Sequence, residues 1–380
     1  MENTEKIFGA DSYVLHSKLV DLYIRKTGGQ LIADFQIGQR KNERANPFYV
    51  APWWNERHEG LSNNDELLRG DWFAFPFGVS TTIDGIKYPV HGYSVENDYR
   101  LTGTTSENGK HCMTMETELK EDKAWLRKEY TLKDDEPVIY LSDTVCGAMG
   151  RYPVGYHPTM KVPETLGSAI LDTSPYLECW TSTVHIESPA AGGYSSLLPA
   201  YKIEDPHRVP TVYGGVVNLR KQPFIKGFDD IHMYISDPSC PFSFTSLTIP
   251  SEGYLYFNLK NPRSLGSLMV WTSYGGRHYP PWNGRVNGCI GLEQITGYFY
   301  YGRASLYESN HLSDKGFKMY EEFDGGNREY RLIHGLVPID KDFTGVMDIV
   351  KEDEKHIRII GRNGKSFPVA CCVDFLNQEK

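Results

Sequence analysis

The chain has 380 residues, 40% hydrophobic and 13% aromatic, enough to bury a large core and too apolar for a disordered chain. Its 40 basic and 49 acidic side chains give a net charge of −9, and no basic run offsets the excess, so neither nucleic acid nor an anionic membrane is an expected partner. The 36 glycines and 22 prolines point to frequent turns and argue against long helices.

Short β-branched and aromatic runs recur along the chain. LYIRKTGGQLIADFQI (22–37) reads as two strands across Gly28-Gly29, and SNNDELLRG (62–70) as one helical turn capped by Ser62 or Asn63. CMTMETEL (112–119) sets Met113, Met115, Thr117 and Leu119 against Cys112, Thr114, Glu116 and Glu118, the period of two of a strand with one buried face. WLRKEYTL (125–132) and PVIYLSDTVC (137–146) follow across an acidic turn. After a loop-rich stretch at 186–226 come IHMYI (231–235), FSFTSLTI (242–249), YLYFNL (254–259), SLMVWT (267–272) and GCIGLEQ (288–294). Near the end, Asn363-Gly364 marks a hairpin. No linker or internal repeat divides the chain. The expectation is one all-β domain over 1–380, built of large, twisted antiparallel sheets, with 306–380 as a C-terminal strand extension.

Seven cysteines (112, 146, 179, 240, 289, 371 and 372) include no C-x-x-C pair, which favours reduced thiols over a zinc ribbon or a disulfide framework. The N-terminal MENTEKIFGADSYVLH has no apolar signal segment, and no apolar run reaches the ~18 residues of a spanning helix, so the expected location is the cytoplasm.

Four stretches could carry chemistry. LLRGDWFAFPFG (67–78) and KYPVHGYSVEN (87–97) place Arg69 and Trp72 ahead of His91-Gly92, which alone reads as a strand pair with a satisfied histidine at a tight turn. In RYPVGYHPTM (151–160), His157 lies between Pro153 and Pro158 on stiff, extended backbone, a mount that suits an aimed side chain or ordinary packing. In GFDDIHMYI (227–235), Asp229 and Asp230 begin a strand and point to opposite faces, one toward a ligand or both in a solvated turn. In GCIGLEQITGYFYYG (288–302), Glu293 stands in an apolar strand, where a carboxylate costs free energy unless it has partners or a task; desolvation would raise its pKa toward the range of a general base. The 12 histidines form neither H-x-x-x-H nor H-E-x-x-H, so no metal site is expected.

In this order the stretches resemble the aldose 1-epimerase, or galactose mutarotase-like, family: the Arg and aromatic segment, His91-Gly92, Tyr156-His157, an Asp at a strand start, and Leu292-Glu293-Gln294 after WTSYGGRHYPPWNGRVNG (271–288). The resemblance spans roughly 15–310 and implies a β-supersandwich. It also implies an enzyme that interconverts sugar anomers by opening the hemiacetal, with Glu293 as base at the C1 hydroxyl and His157 as acid at the ring oxygen. His91 would bind a sugar hydroxyl, Asp230 in preference to Asp229 would bind others, and Arg69 would be a charged donor at the mouth. Trp72 and Trp271 would offer faces to sugar C–H groups. Both steps are proton transfers, so no cofactor is expected. PTMKVPE after His157 and ITGYFYYG after Glu293-Gln294 depart from the family pattern, and the resemblance names no particular sugar. A sugar-binding protein without catalysis, a glycoside hydrolase or lyase using Glu293 with Asp230, and a purely structural β protein are the other readings.

Overall fold

Alternating apolar residues build the outer part of the largest sheet. In the computed structural model, which describes residues 4–40 and 42–377, the CMTMETEL stretch lies in the strand Lys110–Leu119, with Met113, Met115, Thr117 and Leu119 buried and Glu118 exposed. It belongs to a nine-stranded antiparallel sheet ordered Lys221–Gln222, Ala169–Thr173, Ser243–Ile249, Tyr254–Lys260, Asn327–Pro338, Val138–Cys146, Ala124–Lys133, Lys110–Leu119, Arg100–Glu107. A second antiparallel sheet, of seven strands, runs Tyr176–Thr181, Phe228–Ser236, Ser267–Tyr274, Cys289–Thr296, Val154–Tyr156, Phe73–Ala74, and Thr159–Lys161 also pairs with Cys289–Thr296. The N-terminal five-stranded sheet contains the two strands expected across Gly28-Gly29, Val20–Arg25 and Leu31–Gln36. The expected helical turn, Asn63–Glu66, is capped by Ser62, whose side chain accepts from the Asp65 N–H.

The two large sheets stack face to face. Leu268, Val270 and Leu292 of the seven-stranded sheet share one core with Leu141, Leu247 and Tyr256 of the nine-stranded sheet. The opposite face of the seven-stranded sheet presents Ile231, Met233, Met269 and Trp271, which pack with Trp72 and Trp282 beneath the connecting loops. That face carries the candidate site.

The 306–380 stretch is not an appendage throughout. Asn327–Pro338 is an interior strand of the nine-stranded sheet, paired with Val138–Cys146 on one side and Tyr254–Lys260 on the other. Only the final three-stranded sheet, Val346–Lys351, His356–Gly361 and Ser366–Ala370, is added on. It covers the outer face of the nine-stranded sheet, where Val138, Leu255, Phe257 and Ile333 would otherwise meet water. Among the described residues no helix is long and apolar enough to cross a membrane.

Candidate active site

Antiparallel register brings together residues that lie far apart in the chain. Tyr156 stands opposite Gln294 on one side and opposite Phe73 on the other. One step further along both ladders sets His157 between Glu293 and Trp72. Pro158 has no N–H to give, yet the register continues: Leu292 N–H donates to Pro158 O at 2.7 Å, and Thr159 faces Gly291. On its other side Glu293 faces Met269, which faces Met233. The row Trp72, His157, Glu293, Met269, Met233 therefore crosses the sheet on the face turned away from the main core. Gln294, one residue on, points into that core and donates to Asn258 Oδ1 at 3.0 Å and Thr245 Oγ1 at 3.1 Å, which ties the strand to the sheet beneath.

His157 Nε2 lies 3.3 Å from Glu293 Oε1, and the second carboxyl oxygen, Oε2, is buried with no hydrogen-bond partner among the described residues. The imidazole is stacked on the Trp72 indole, with centroids 4.2 Å apart and planes 17° from parallel. Its Nδ1 lies 3.1 Å from Thr159 Oγ1, whose own hydroxyl is directed at the His157 carbonyl at 3.3 Å. Thr159 is thereby left to accept the Nδ1 proton, and the Nε2 lone pair faces Glu293.

Burial pushes the Glu293 carboxyl well above the usual carboxylate range. Burial, with His91 adding to it, pulls His157 well below the usual imidazole value. Both shifts favour an uncharged pair holding one proton between two atoms that face each other. Glu293 is only 1% exposed, so little of its carboxyl meets bulk water.

His91 meets His157 edge to face at 4.8 Å. Its backbone φ of +61° is a strained conformation for a residue with a side chain, and a Cβ on the neighbouring Gly92 would lie 2.1 Å from Phe75 O. The turn is held by His91 N–H donating to Gly78 O at 2.7 Å, and Gly78 N–H donates to His91 Nδ1 at 3.3 Å. His91 Nε2 therefore carries the ring proton; burial lowers the imidazole pKa to about 3 and keeps it neutral.

These groups line a cavity of about 260 Å³, together with Trp72, Trp271, Trp282, Met269 and Tyr300. That volume lies below the ~300–1,000 Å³ of drug-sized ligand sites and suits one ring rather than an oligomer. Trp72 and Trp271 both face it, and each indole N–H is buried with no partner among the described residues.

Three expected binding residues, Arg69, Asp230 and Asp229, are absent from the cavity wall. Arg69 is not at the mouth: it is 2% exposed, donates to Ile7 O at 2.6 Å and is absent from the cavity wall, because the Val50–Arg69 bridge turns it into the packing beside the N-terminal sheet. Asp230 is consumed by backbone, its Oδ1 accepting from Ser196 N–H and Leu197 N–H at 2.8 Å each and its Oδ2 from the Ser196 hydroxyl at 2.6 Å. Strand alternation puts Asp229, not Asp230, on the side of Ile231 and Met233. Even Asp229 reaches the cavity only through Arg277, whose Nε lies 3.1 Å from its Oδ2.

Arg277 is the residue that motif reading overlooked. Its guanidinium lies over the rings of Trp282 at 4.3 Å and Trp271 at 5.2 Å, and its Nε is 2.8 Å from Glu187 Oε1. Burial pulls the guanidinium pKa down, but Asp229 and Glu187 outweigh that and raise it. The available signal was an arginine between Trp271 and Trp282, near Tyr279, in the segment before Glu293.

No protein-family model and no curated protein matches the chain. Solved structures do match its shape. A galactose mutarotase related enzyme from Lactobacillus acidophilus superposes with a TM-score of 0.54 at 11% identity, over 87% of this chain and 98% of that one. A galactose mutarotase-like protein from Clostridium acetobutylicum gives a TM-score of 0.56 at 10% identity, over 89% and 98%. An aldose epimerase homologue from C. elegans gives 0.53 at 9%, over 87% and 100%. The structural neighbours are thus galactose mutarotase-like and aldose 1-epimerase proteins, and the fold is theirs: the all-β supersandwich.

Proposed function

We propose that the protein interconverts the α and β anomers of a monosaccharide by general acid–base catalysis at His157 and Glu293. The observation that carries this reading is the 3.3 Å contact between His157 Nε2 and Glu293 Oε1 at the wall of a single-ring cavity. Anomer exchange needs one proton removed from the C1 hydroxyl and one delivered to the ring oxygen. Those two oxygens are bonded to the same carbon, so acid and base must stand side by side, as these groups do.

The proton count closes. With the shared proton on His157, Glu293 takes the hydroxyl proton, the C1–O5 bond breaks, a C1 carbonyl forms and His157 protonates O5. The pair then again holds one proton, now on Glu293. Rotation about C1–C2 and reversal of both transfers close the other anomer. The resting pair, uncharged by burial, reaches the starting arrangement by moving its proton across the same contact. Each positioned acid or base contributes typically 10²–10⁴-fold. His91, as an Nε2–H donor, suits a sugar oxygen, and Trp72 and Trp271 supply apolar faces.

Glycoside hydrolysis fares worse, because Asp230 is bonded to the Ser196-Leu197 backbone and is not a second carboxylate for Glu293. The test is NMR of freshly dissolved pure anomers. Wild type is expected to accelerate equilibration, and Glu293→Gln to abolish the acceleration while sugar binding survives. Wild-type turnover in Glu293→Gln would remove the glutamate from the chemistry.

A further inference from the structure

The cavity has a second polar end, which the proton transfer does not use. Trp271 separates the two: its ring is 6.1 Å from that of His157 on one side and 5.2 Å from the Arg277 guanidinium on the other. Beyond Trp271 the wall carries Arg277, Glu187, Asp65 and Tyr279. Tyr279 donates its hydroxyl proton to the Glu187 carboxylate, 3.2 Å from Oε1 and 3.1 Å from Oε2.

The charges at this end do not balance. One guanidinium faces three carboxylates, Glu187 at 2.8 Å, Asp229 at 3.1 Å and Asp65 within electrostatic reach. Among the described lining residues no lysine and no second arginine is present. Burial disfavours a positive charge on His91 and on His157. Burial raises Asp65 and Asp229, the latter to about 6, and the three carboxyl groups still outnumber the one guanidinium beside them. A lone arginine in a sugar pocket would suggest a phosphate site. Here its Nε lies within ion-pair distance of Glu187 and Asp229, though with a hydrogen bond to neither, so its charge is offset; the buried, unpartnered Trp271 N–H and Glu293 Oε2 in the same cavity indicate that a polar ligand completes the site.

Resting on the sugar-site reading, we propose that the Arg277–Glu187–Asp65 end is a charge filter: it admits neutral sugars, holds amino sugars most tightly and rejects sugar phosphates and uronates. An ammonium group there neutralises part of the carboxylate excess and donates to Glu187 or Asp65. A phosphate adds like charge to a desolvated, already negative wall.

Calorimetric titration at pH 7.5 with glucose, glucosamine, glucose 6-phosphate and glucuronate, repeated in the galacto series, tests this. The anionic sugars are expected to bind about thirtyfold more weakly than the neutral parent, the fold-change that one uncompensated charge about 8 Å away gives at an effective dielectric constant of about 20. The amino sugar is expected to bind more tightly than the parent. Asp65→Asn and Glu187→Gln should each narrow the gap between phosphate and parent. A phosphate or uronate bound as tightly as the parent overturns the filter, as does an unchanged gap in both variants. Binding in the expected order without anomer exchange overturns the catalytic reading and leaves the filter standing. Exchange that favours the phosphate does the reverse, and binding of no sugar overturns both.

Discussion

Gly291→Ala tests the geometry of the proton pair without removing any functional group. Gly291 faces Trp271 across the ladder and lies two residues before Glu293 on the same side of the strand. A Cβ at 291 would sit 2.6 Å from Glu293 Oε1, 3.3 Å from its Cγ and 3.4 Å from its Cδ. Ordinary contact begins near 3.4 Å, so the carboxylate oxygen must retreat by about 0.8 Å or swing to another rotamer. The His157–Glu293 separation is already 3.3 Å, at the outer edge of hydrogen-bond reach, and there is no slack to absorb the move. A misplacement of about 1 Å costs roughly 10²-fold in rate, equivalent to about 2.7 kcal/mol in the barrier. The expected result is a kcat about a hundredfold below wild type.

Backbone strain does not confuse the outcome. Gly291 is not among the glycines of positive φ, so alanine adopts its conformation, and its loss of unfolded-state entropy is worth about 0.4–1 kcal/mol in favour of folding. Thermal melting should stay within a few degrees of wild type. Gly103→Ala is the control, since a Cβ there meets nothing within 4 Å. The assay is anomer equilibration by NMR, with melting curves for all three proteins. Wild-type turnover in Gly291→Ala would show that the position of the Glu293 carboxyl does not matter, and the proposed chemistry would go with it.

His157→Asn should lower kcat by roughly 10²–10⁴-fold with little change in KM; a change confined to KM would make His157 a binding residue. The pH profile follows from the shift directions. Gain of a second proton is set by His157, pulled well below 6.5, and loss of the only proton by Glu293, pushed well above 4.5, so kcat/KM should not fall on acidification through pH 6.5; an acid limb with an apparent pKa of 6.5 or higher would contradict the paired burial. Stability follows the same signs: His157, lowered on folding, costs stability below pH 6.5, and Glu293, raised on folding, costs stability as pH climbs above 4.5, so the melting advantage of Glu293→Gln over wild type should grow between pH 5 and pH 8. Arg69→Met should leave anomer exchange unchanged, because Arg69 packs outside the cavity with Nε and Nη2 unpartnered among the described residues; a large rise in KM would return it to the site.

What the sequence revealed and what it hid divide along a physical line. Glu293 stood out because a carboxylate in an apolar strand is costly, and His157 because two prolines stiffen its mount; both signals are local. The choice between Asp229 and Asp230 was not local. Alternation puts them on opposite faces, but which face meets the cavity depends on pairing with Ser267–Tyr274, and neither aspartate itself lines the cavity. Arg277 and Glu187 sit on loops whose meeting is set by the Gly193–Arg277 bridge, a contact between distant segments that no periodicity encodes. Asn327–Pro338 read as an addition because its partners, Val138–Cys146 and Tyr254–Lys260, come much earlier in the chain.

The contrast between His157 and His334 shows why a histidine's surroundings, not its neighbours in sequence, decide its role. Each is followed or preceded by a turn-forming residue, and each is buried. His334 is closed at both nitrogens, by Tyr256 Oη at 2.7 Å and Asp71 Oδ2 at 2.8 Å, between the two large sheets and away from any opening. His157 has one nitrogen fixed by Thr159 and the other turned to a carboxyl that shares its cavity wall. His334 is absent from the cavity wall, so no ligand there meets either of its bonded nitrogens. His157, stacked on Trp72 with its Nε2 turned to the Glu293 carboxyl at the cavity wall, is the ring that the proposed proton transfer would use.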